Sequence, residues 1–221
     1  MRGHFITFEG GEGSGKSTHA ATLAHRLKAL GHAVVLTREP GGSTGAEIIR
    51  HILLSGIAKP LGAETEAILF AAARDDHVRN VILPALKSGS WVICDRFIDS
   101  TRVYQGTLGN VDQRLIRSLE RVTVGPAVPE ITFILDVPAQ IGLARAKNRR
   151  GQVEADRFES ESIEFHENLR QAYRMLAAAE PNRCVIIDGR PPRDVVAERI
   201  WSIVQDRLRS ERAGIQQAST S

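Results

Sequence analysis

Cysteine is scarce: the 221-residue chain carries only Cys94 and Cys184. Both fall inside apolar runs that read as strands, so they read as reduced core residues and not as a disulfide or a metal pair. Long apolar stretches are missing too. Nothing approaches the ~20 apolar residues needed to cross a membrane. The first residues also lack the layout of a signal peptide, because a strand starting at Phe5 feeds straight into a glycine loop. The expectation is a soluble cytoplasmic protein. Neither sign of charge is in large excess, with 29 Lys plus Arg against 26 Asp plus Glu and a net charge of +3. That balance suits small phosphate-bearing molecules and does not call for nucleic acid. Internal repeats and dividing linkers are absent as well. One domain over 1–209 is expected, followed by a polar tail, 210–221, expected to be disordered.

What is present is organised around Gly10-Gly11-Glu12-Gly13-Ser14-Gly15-Lys16-Ser17. This is the phosphate-binding loop pattern G-x-x-x-x-G-K-[ST]. Its glycines let backbone amides turn inward onto an anion. Lys16 brings a charge to the β- and γ-phosphates, and the Ser17 hydroxyl suits Mg²⁺. The context fits: a short apolar strand, His4 to Phe8, precedes the loop, and a helical pattern with Leu23, Leu27 and Leu30 on one face follows it.

Strand patterns recur at 4–9, 32–37, 90–95, 130–137 and 183–188, with helical patterns between them. Unbroken apolar runs indicate strands covered on both faces, and their alternation with helices predicts a five-stranded parallel sheet in an α/β, three-layer fold. Ligands bind beyond the carboxyl ends of such strands. The polar residues just past each strand are therefore the first candidates: Glu9, Arg38 with Glu39, Asp95 with Arg96, Asp136 and Asp188. The long helical pattern at 64–86 carries Pro84, which predicts a kink or an early end. Residues 97–109 mix helix and turn signals. Helices are also expected at 46–54, 111–124, 138–149, 160–179 and 195–208.

Asp95 after a buried strand can support a Mg²⁺ water shell, and Arg96 can clamp an acceptor phosphate; the plainer reading is an ion pair at a strand end. Phe70 and Arg74, four residues apart on one helix face, offer a ring to stack on a base and a donor fork for its edge. Taken alone, the pair reads more simply as a core phenylalanine and a solvated arginine. Arg145, Lys147, Arg149 and Arg150 crowd one helix end before Gly151. They fit either a basic C-terminus favoured by the helix dipole or a lid, about 145–157, whose arginines reach a transferring phosphoryl group.

These motifs, in this order, resemble the bacterial thymidylate kinases. The resemblance runs from Ile6 to about Val204. It rests on Phe8-Glu9-Gly10 with the phosphate loop, Thr37-Arg38-Glu39-Pro40-Gly41-Gly42, Phe70-x-x-x-Arg74, Asp95-Arg96-Phe97, and Ser100-Thr101-x-x-Tyr104-Gln105-Gly106. The resemblance implies transfer of the γ-phosphoryl of ATP to dTMP, with Mg²⁺, by a homodimer. Gly10, Gly11, Glu12, Gly13, Ser14, Gly15, Lys16, Ser17 and Thr18 would hold ATP. Lys16 would meet the transferred charge, and Ser17 and Asp95 would serve the metal. Glu12 would face the 3′-hydroxyl of the acceptor sugar. Arg38 and Arg96 would bind the acceptor phosphate. Phe70 would stack on thymine, Arg74 would bond its edge, Tyr104 would lie under the deoxyribose, and Ser100 and Gln105 would help fix the acceptor. The phosphate loop has no arginine while the lid is rich in them, as in the family variant whose catalytic arginine sits in the lid; Arg149 and Arg150 are both candidates. Phe97 stands where the family often has Tyr or His. Two alternatives stay open: a kinase of the same fold acting on another nucleoside monophosphate or a deoxynucleoside, and a slow nucleotide-hydrolysing switch.

Overall fold

The computed structural model describes residues 3–151 and 157–218, without the side chains of Arg150 and 208–218. Five strands form one parallel sheet: β1 (Phe5–Gly10), β2 (Val34–Arg38), β3 (Trp91–Asp95), β4 (Ile131–Asp136) and β5 (Cys184–Asp188). Their spatial order is β2-β3-β1-β4-β5. All five lie where the sequence patterns put them, within one or two residues at each end. The central strand β1 has β3 on one side and β4 on the other, so the chain leaves it in both directions. That split opens a crevice at its carboxyl end. The register brings the polar strand ends into line there: Phe8 lies beside Asp95, Arg38 beside Asp95, Gly10 beside Leu135 and Asp136 beside Asp188.

All six residues of β1 are buried, and alternate side chains serve opposite faces. Ile6 and Phe8 join Leu23 and Leu27 of α1 (Lys16–Ala29) and Ile200 and Val204 of α9 (Arg193–Ala218). On the other face, Phe5 packs with Val92, Cys94, Ile82 and Phe97. Burying a ring such as Phe8 contributes about 2–3 kcal/mol relative to exposing it. Cys94 and Cys184 are both free and buried, as expected of core thiols.

The helices that frame the crevice are α2 (Thr44–Leu54), α3 (Gly62–His77), α4 (Leu83–Lys87), α5 (Ile98–Thr101), α6 (Gln113–Val124), α7 (Ala139–Arg150) and α8 (Ile163–Ala179). The break that Pro84 predicts in the pattern at 64–86 is present: α3 widens into a π-helical turn at Val78–Ile82 before α4 restarts. Pro84 sits in the first turn of α4, where its missing N–H costs nothing, and the wide turn absorbs the misfit just before it. Residues 97–109 resolve into α5 and a second π-helical turn, Arg102–Leu108. The last helix does not stop at Leu208 but runs to Ala218, so the polar tail is helical over most of its length; its Arg, Glu, Ala and Gln are good helix formers. β2 and β5 are edge strands. Leu36 and Ile186 are therefore exposed, although the run at 32–37 reads as covered on both faces. Among the described residues, no helix is long and apolar enough to cross a membrane.

Candidate active site

The loop from Gly10 to Gly15 turns with positive φ at Gly10, Gly13 and Gly15. It delivers the chain to α1 with no side chain capping the helix and no acidic residue in its first turn. The positive end of the helix dipole is thus left without a capping side chain or an acidic neighbour in the first turn, as an anion site requires. Gly13 is indispensable for a packing reason. A Cβ there would lie 1.9 Å from the Gly142 carbonyl oxygen, and one on Gly142 would lie 2.3 Å from the Glu12 carbonyl oxygen. The loop and α7 touch backbone to backbone. Lys16 is buried inside the loop and donates to the Gly10 carbonyl at 3.1 Å and the Gly11 carbonyl at 2.7 Å. Burial, with Arg96 nearby, lowers its pKa against the pull of Glu12, Asp95 and Glu9.

Ser17 donates its hydroxyl to Asp95 Oδ2. Asp95 Oδ1 is buried with no hydrogen-bond partner among the described residues. An orphaned carboxylate oxygen beside a hydroxyl at the mouth of a phosphate loop fits Mg²⁺, which takes oxygen ligands and keeps much of its water. Among the described residues no group of three His, Cys, Asp or Glu side chains could hold a metal.

Across the crevice, Arg96 adopts φ 68°, the left-handed region that a non-glycine residue enters only when its surroundings force it. Its amide is fixed on the Phe8 carbonyl at 2.9 Å. Its guanidinium donates to Glu12, to Ser100 Oγ at 3.3 Å and to Tyr173 Oη at 3.4 Å, and lies 5.3 Å from the Tyr104 ring centroid. Burial pushes the Glu12 carboxyl up, but Arg96 and Lys16, then His166 and Arg149, outweigh it and hold it down at about 2. Tyr104 donates to the same carboxylate at 3.5 Å.

Beneath lies Glu9, fully buried. It accepts from the Phe97 and Ser100 amides at 2.8 and 3.2 Å, from Ser100 Oγ at 2.7 Å and from Tyr173 Oη at 2.8 Å. Burial, then the charge of Asp99, push its carboxyl up to about 7 against Arg96 and those hydrogen bonds. Its place at a strand end marked Glu9, yet nothing in the sequence gave it this role. No sequence signal marked the Tyr173 hydroxyl, which α8 brings to Glu9, Ser100 and Arg96.

On the far wall, Arg38 is exposed and donates to Glu47 at 2.9 Å. Glu47 also takes the Gly42 amide at 2.9 Å. A Cβ on Gly42, at φ 88°, would meet Thr37 Oγ1 at 2.4 Å and His77 Nε2 at 2.5 Å, so only glycine closes this loop. Arg74 is not a solvated cap. It is 2% exposed, and its Nε and Nη2 donate to Glu39 at 2.8 Å, the Phe97 carbonyl at 3.2 Å and Thr101 at 3.1 Å. Glu39, a strand-end candidate in the sequence, also accepts from His77 Nδ1 at 3.0 Å and is a buried carboxylate that positions Arg74, a role the sequence did not show.

One cavity of about 230 Å³ takes in Glu12, Gly13, Lys16, Ser17, Arg38, Phe70, Arg74, Asp95, Arg96, Ser100, Tyr104, Gln105 and Arg149. Gly10, Gly11, Ser14, Gly15 and Thr18 lie off its wall. Of the lid arginines, Arg149 is exposed and reaches Glu159 at 3.5 Å, whereas Arg145 donates away from the cavity, to the Gly189 carbonyl at 2.8 Å. The Arg150 side chain and lid residues 152–156 lie outside the described residues.

A family model described as thymidylate kinase matches residues 8–200. The thymidylate kinase of Bradyrhizobium diazoefficiens is 60% identical over 207 residues, covering 94% of this chain and 91% of its own. That of Nitrobacter winogradskyi is 60% identical over 207 residues, covering 94% and 90%. The crystal structure of thymidylate kinase from Ehrlichia chaffeensis superposes with a TM-score of 0.73 at 33% identity, over 92% of this chain and 99% of that one. The chain belongs to the thymidylate kinase family.

Proposed function

We propose that this protein moves the γ-phosphoryl of ATP onto the 5′-phosphate of dTMP, giving dTDP and ADP. The observation that carries the reading is the two-sided cavity. The phosphate loop with Lys16 and Ser17 forms one wall, Arg38 and Arg96 form the other, and Glu12 stands between them. Two arginines on the acceptor side suit a substrate that already bears a phosphate, which favours a monophosphate over a nucleoside.

The loop amides and Lys16 hold the donor phosphates and stabilise charge that builds during transfer. Lys16 must leave the Gly10 and Gly11 carbonyls to do so, and its short reach keeps it at the site. Arg96 and Arg38 fix the attacking phosphate. Glu12, ionised and clamped by Arg96, accepts the 3′-hydroxyl of the sugar. Phe70 takes the face of the base. Arg74 is held rigid at Nε and Nη2, which leaves Nη1 for the base edge. Arg149 approaches the transferring group from the lid. Ser17 and Asp95 would hold Mg²⁺, which would supply positive charge to offset that of the donor phosphates.

The protein acts in the cytoplasm as one domain and as a homodimer. Support for the dimer is the exposed apolar surface of Ile48 on α2 and Ile68 on α3, with Ile57 and Leu61 between these helices. ADP release with and without dTMP, then with every other nucleoside monophosphate, tests the assignment. Release that ignores the acceptor is the outcome expected of a hydrolytic switch, and it contradicts the proposal.

A further inference from the structure

Three consecutive residues, from the end of the lid onward, touch three separate parts of the site. Arg157 Nη1 meets Glu66 Oε1 at 2.5 Å, with both side chains largely buried. The contact is one of charges without an aligned hydrogen bond. Glu66 lies four residues before Phe70 on α3, so the two project from one side of that helix. Phe158 follows, its ring 4.6 Å from the Arg157 guanidinium carbon. Its centroid is 6.2 Å from that of Phe70 at an interplanar angle of 49°, and 5.2 Å from that of Tyr104, edge-on. Glu159 comes next and receives Arg149 Nη2 at 3.5 Å. Phe158 and Glu159 both line the cavity.

The strap is stiff. Ser160 Oγ donates to the Arg157 carbonyl at 2.8 Å, and the Glu161 amide donates to the Phe158 carbonyl at 3.3 Å. Ser162 then caps α8, accepting from the Phe165 amide at 3.1 Å. A short turn braced at both ends cannot move Phe158 without moving Glu159. Glu159 is the anchored partner of its pair, at 9% side-chain exposure against 63% for Arg149, so it sets where that arginine lies.

Resting on the dTMP kinase reading of the cavity, we propose that Phe158 is a contact for the acceptor base and that Glu159 is a positioning residue that places Arg149 in response. The ring of Phe158 stands at an angle to Phe70. A flat base stacked on Phe70 presents its edge or face to Phe158 within the 4.5–7 Å over which aromatic rings attract. The adjacent carboxylate then carries the base's position to the lid arginine. The acceptor base at one end of the cavity is thereby linked to the phosphoryl group at the other.

The test is a double-mutant cycle with steady-state kinetics and melting curves. Phe158→Leu and Glu159→Gln are made in wild type and in Arg149→Lys. Phe158→Leu raises KM for dTMP by roughly three- to tenfold, the worth of one aromatic contact, and leaves KM for ATP unchanged. It also lowers kcat by about fivefold in wild type but less than about twofold in Arg149→Lys, because the arginine it acts through is already gone. Glu159→Gln gives the same kcat pattern with KM for dTMP unchanged. Phe158→Tyr, which keeps the ring, restores both parameters and covers the case in which the leucine variant melts early. Equal kcat losses in the two backgrounds overturn the link to Arg149, and an unchanged KM for dTMP in Phe158→Leu overturns the base contact. Wild-type turnover on dTMP is measured first, so a failed assignment of substrate is told apart from a failed strap.

Discussion

Arg96 holds Glu12 across the floor of the cavity, and it does so from a left-handed backbone with φ 68°. Backbone and side chain therefore make separate demands at one position. A glycine at 96 satisfies the backbone alone, while alanine satisfies neither. The left-handed conformation costs a non-glycine residue about 1–2 kcal/mol. Arg96→Gly is expected to melt about 2–4 °C above Arg96→Ala. Both should raise KM for dTMP by at least about tenfold, since the charge proposed to bind the acceptor phosphate is lost. Calorimetry and kinetics on the two proteins check this, and equal melting temperatures contradict the strain.

Lys16→Ala removes the charge inside the phosphate loop. The change opens no apolar cavity, so the fold should persist. Turnover should fall by about 10² to 10³, the usual cost of removing one donor that stabilises developing charge. Near-wild-type kcat in a folded Lys16→Ala protein would remove Lys16 from the mechanism.

Gly142→Ala pits two effects against each other. In a helix interior the change ordinarily stabilises by about 1 kcal/mol. Here the new methyl would sit 2.3 Å from the Glu12 carbonyl oxygen, a backbone atom that cannot swing aside. Overpacking costs about 1–3 kcal/mol and displaces the phosphate loop. The expected result is a melting temperature that does not rise and a kcat/KM for ATP down about tenfold. A protein that melts higher with normal kinetics would show that the loop and α7 do not pack this way.

Glu9 predicts a pH dependence of stability. Its carboxyl is pushed up to about 7 from an ordinary 4.5. Between those values the folded chain keeps a proton that the unfolded chain has released. The stabilisation is full below about pH 4.5 and is lost as pH rises through 7. Glu9→Gln cannot lose that proton, so its melting temperature should fall less than that of wild type between pH 5.5 and 8. Parallel curves for the two proteins would contradict the raised value.

Much of this was legible in the sequence because the signals were local. The phosphate loop, the five apolar runs and the polar residue closing each run depend on neighbours within a few positions. Arg74 shows where legibility ends. Its helical spacing from Phe70 put it on the right face, but its burial against Glu39 depends on a residue 35 positions away. Tyr173 on Glu9 spans 164 positions, and no pattern in either segment marks the pair. The break before Pro84 was expected, while the wide turn that carries it depends on how α3 packs. Phe158 and Glu159 follow a polar break and gain meaning only when the fold sets them against Phe70 and Arg149.

The central claim is that this cavity selects dTMP, and acceptor selectivity tests it most directly. Stacking on Phe70 discriminates little among pyrimidines. Arg74, locked at Nε and Nη2, can only donate to a base edge, so the O4 of thymine or uracil suits it and the amino group of cytosine does not. A buried donor left unpaired is costly, whereas the thymine methyl adds about 1–3 kcal/mol, or roughly 10- to 200-fold. Tyr104 is buried in the cavity and is proposed to lie under the sugar, where it would disfavour a 2′-hydroxyl by contact. The measurement is kcat/KM for dTMP, dUMP, dCMP and UMP under one set of conditions. The account predicts dTMP first, dUMP second by about one to two orders of magnitude, and dCMP and UMP far behind. Equal use of dCMP and dTMP, or a preference for a ribonucleotide, would contradict it.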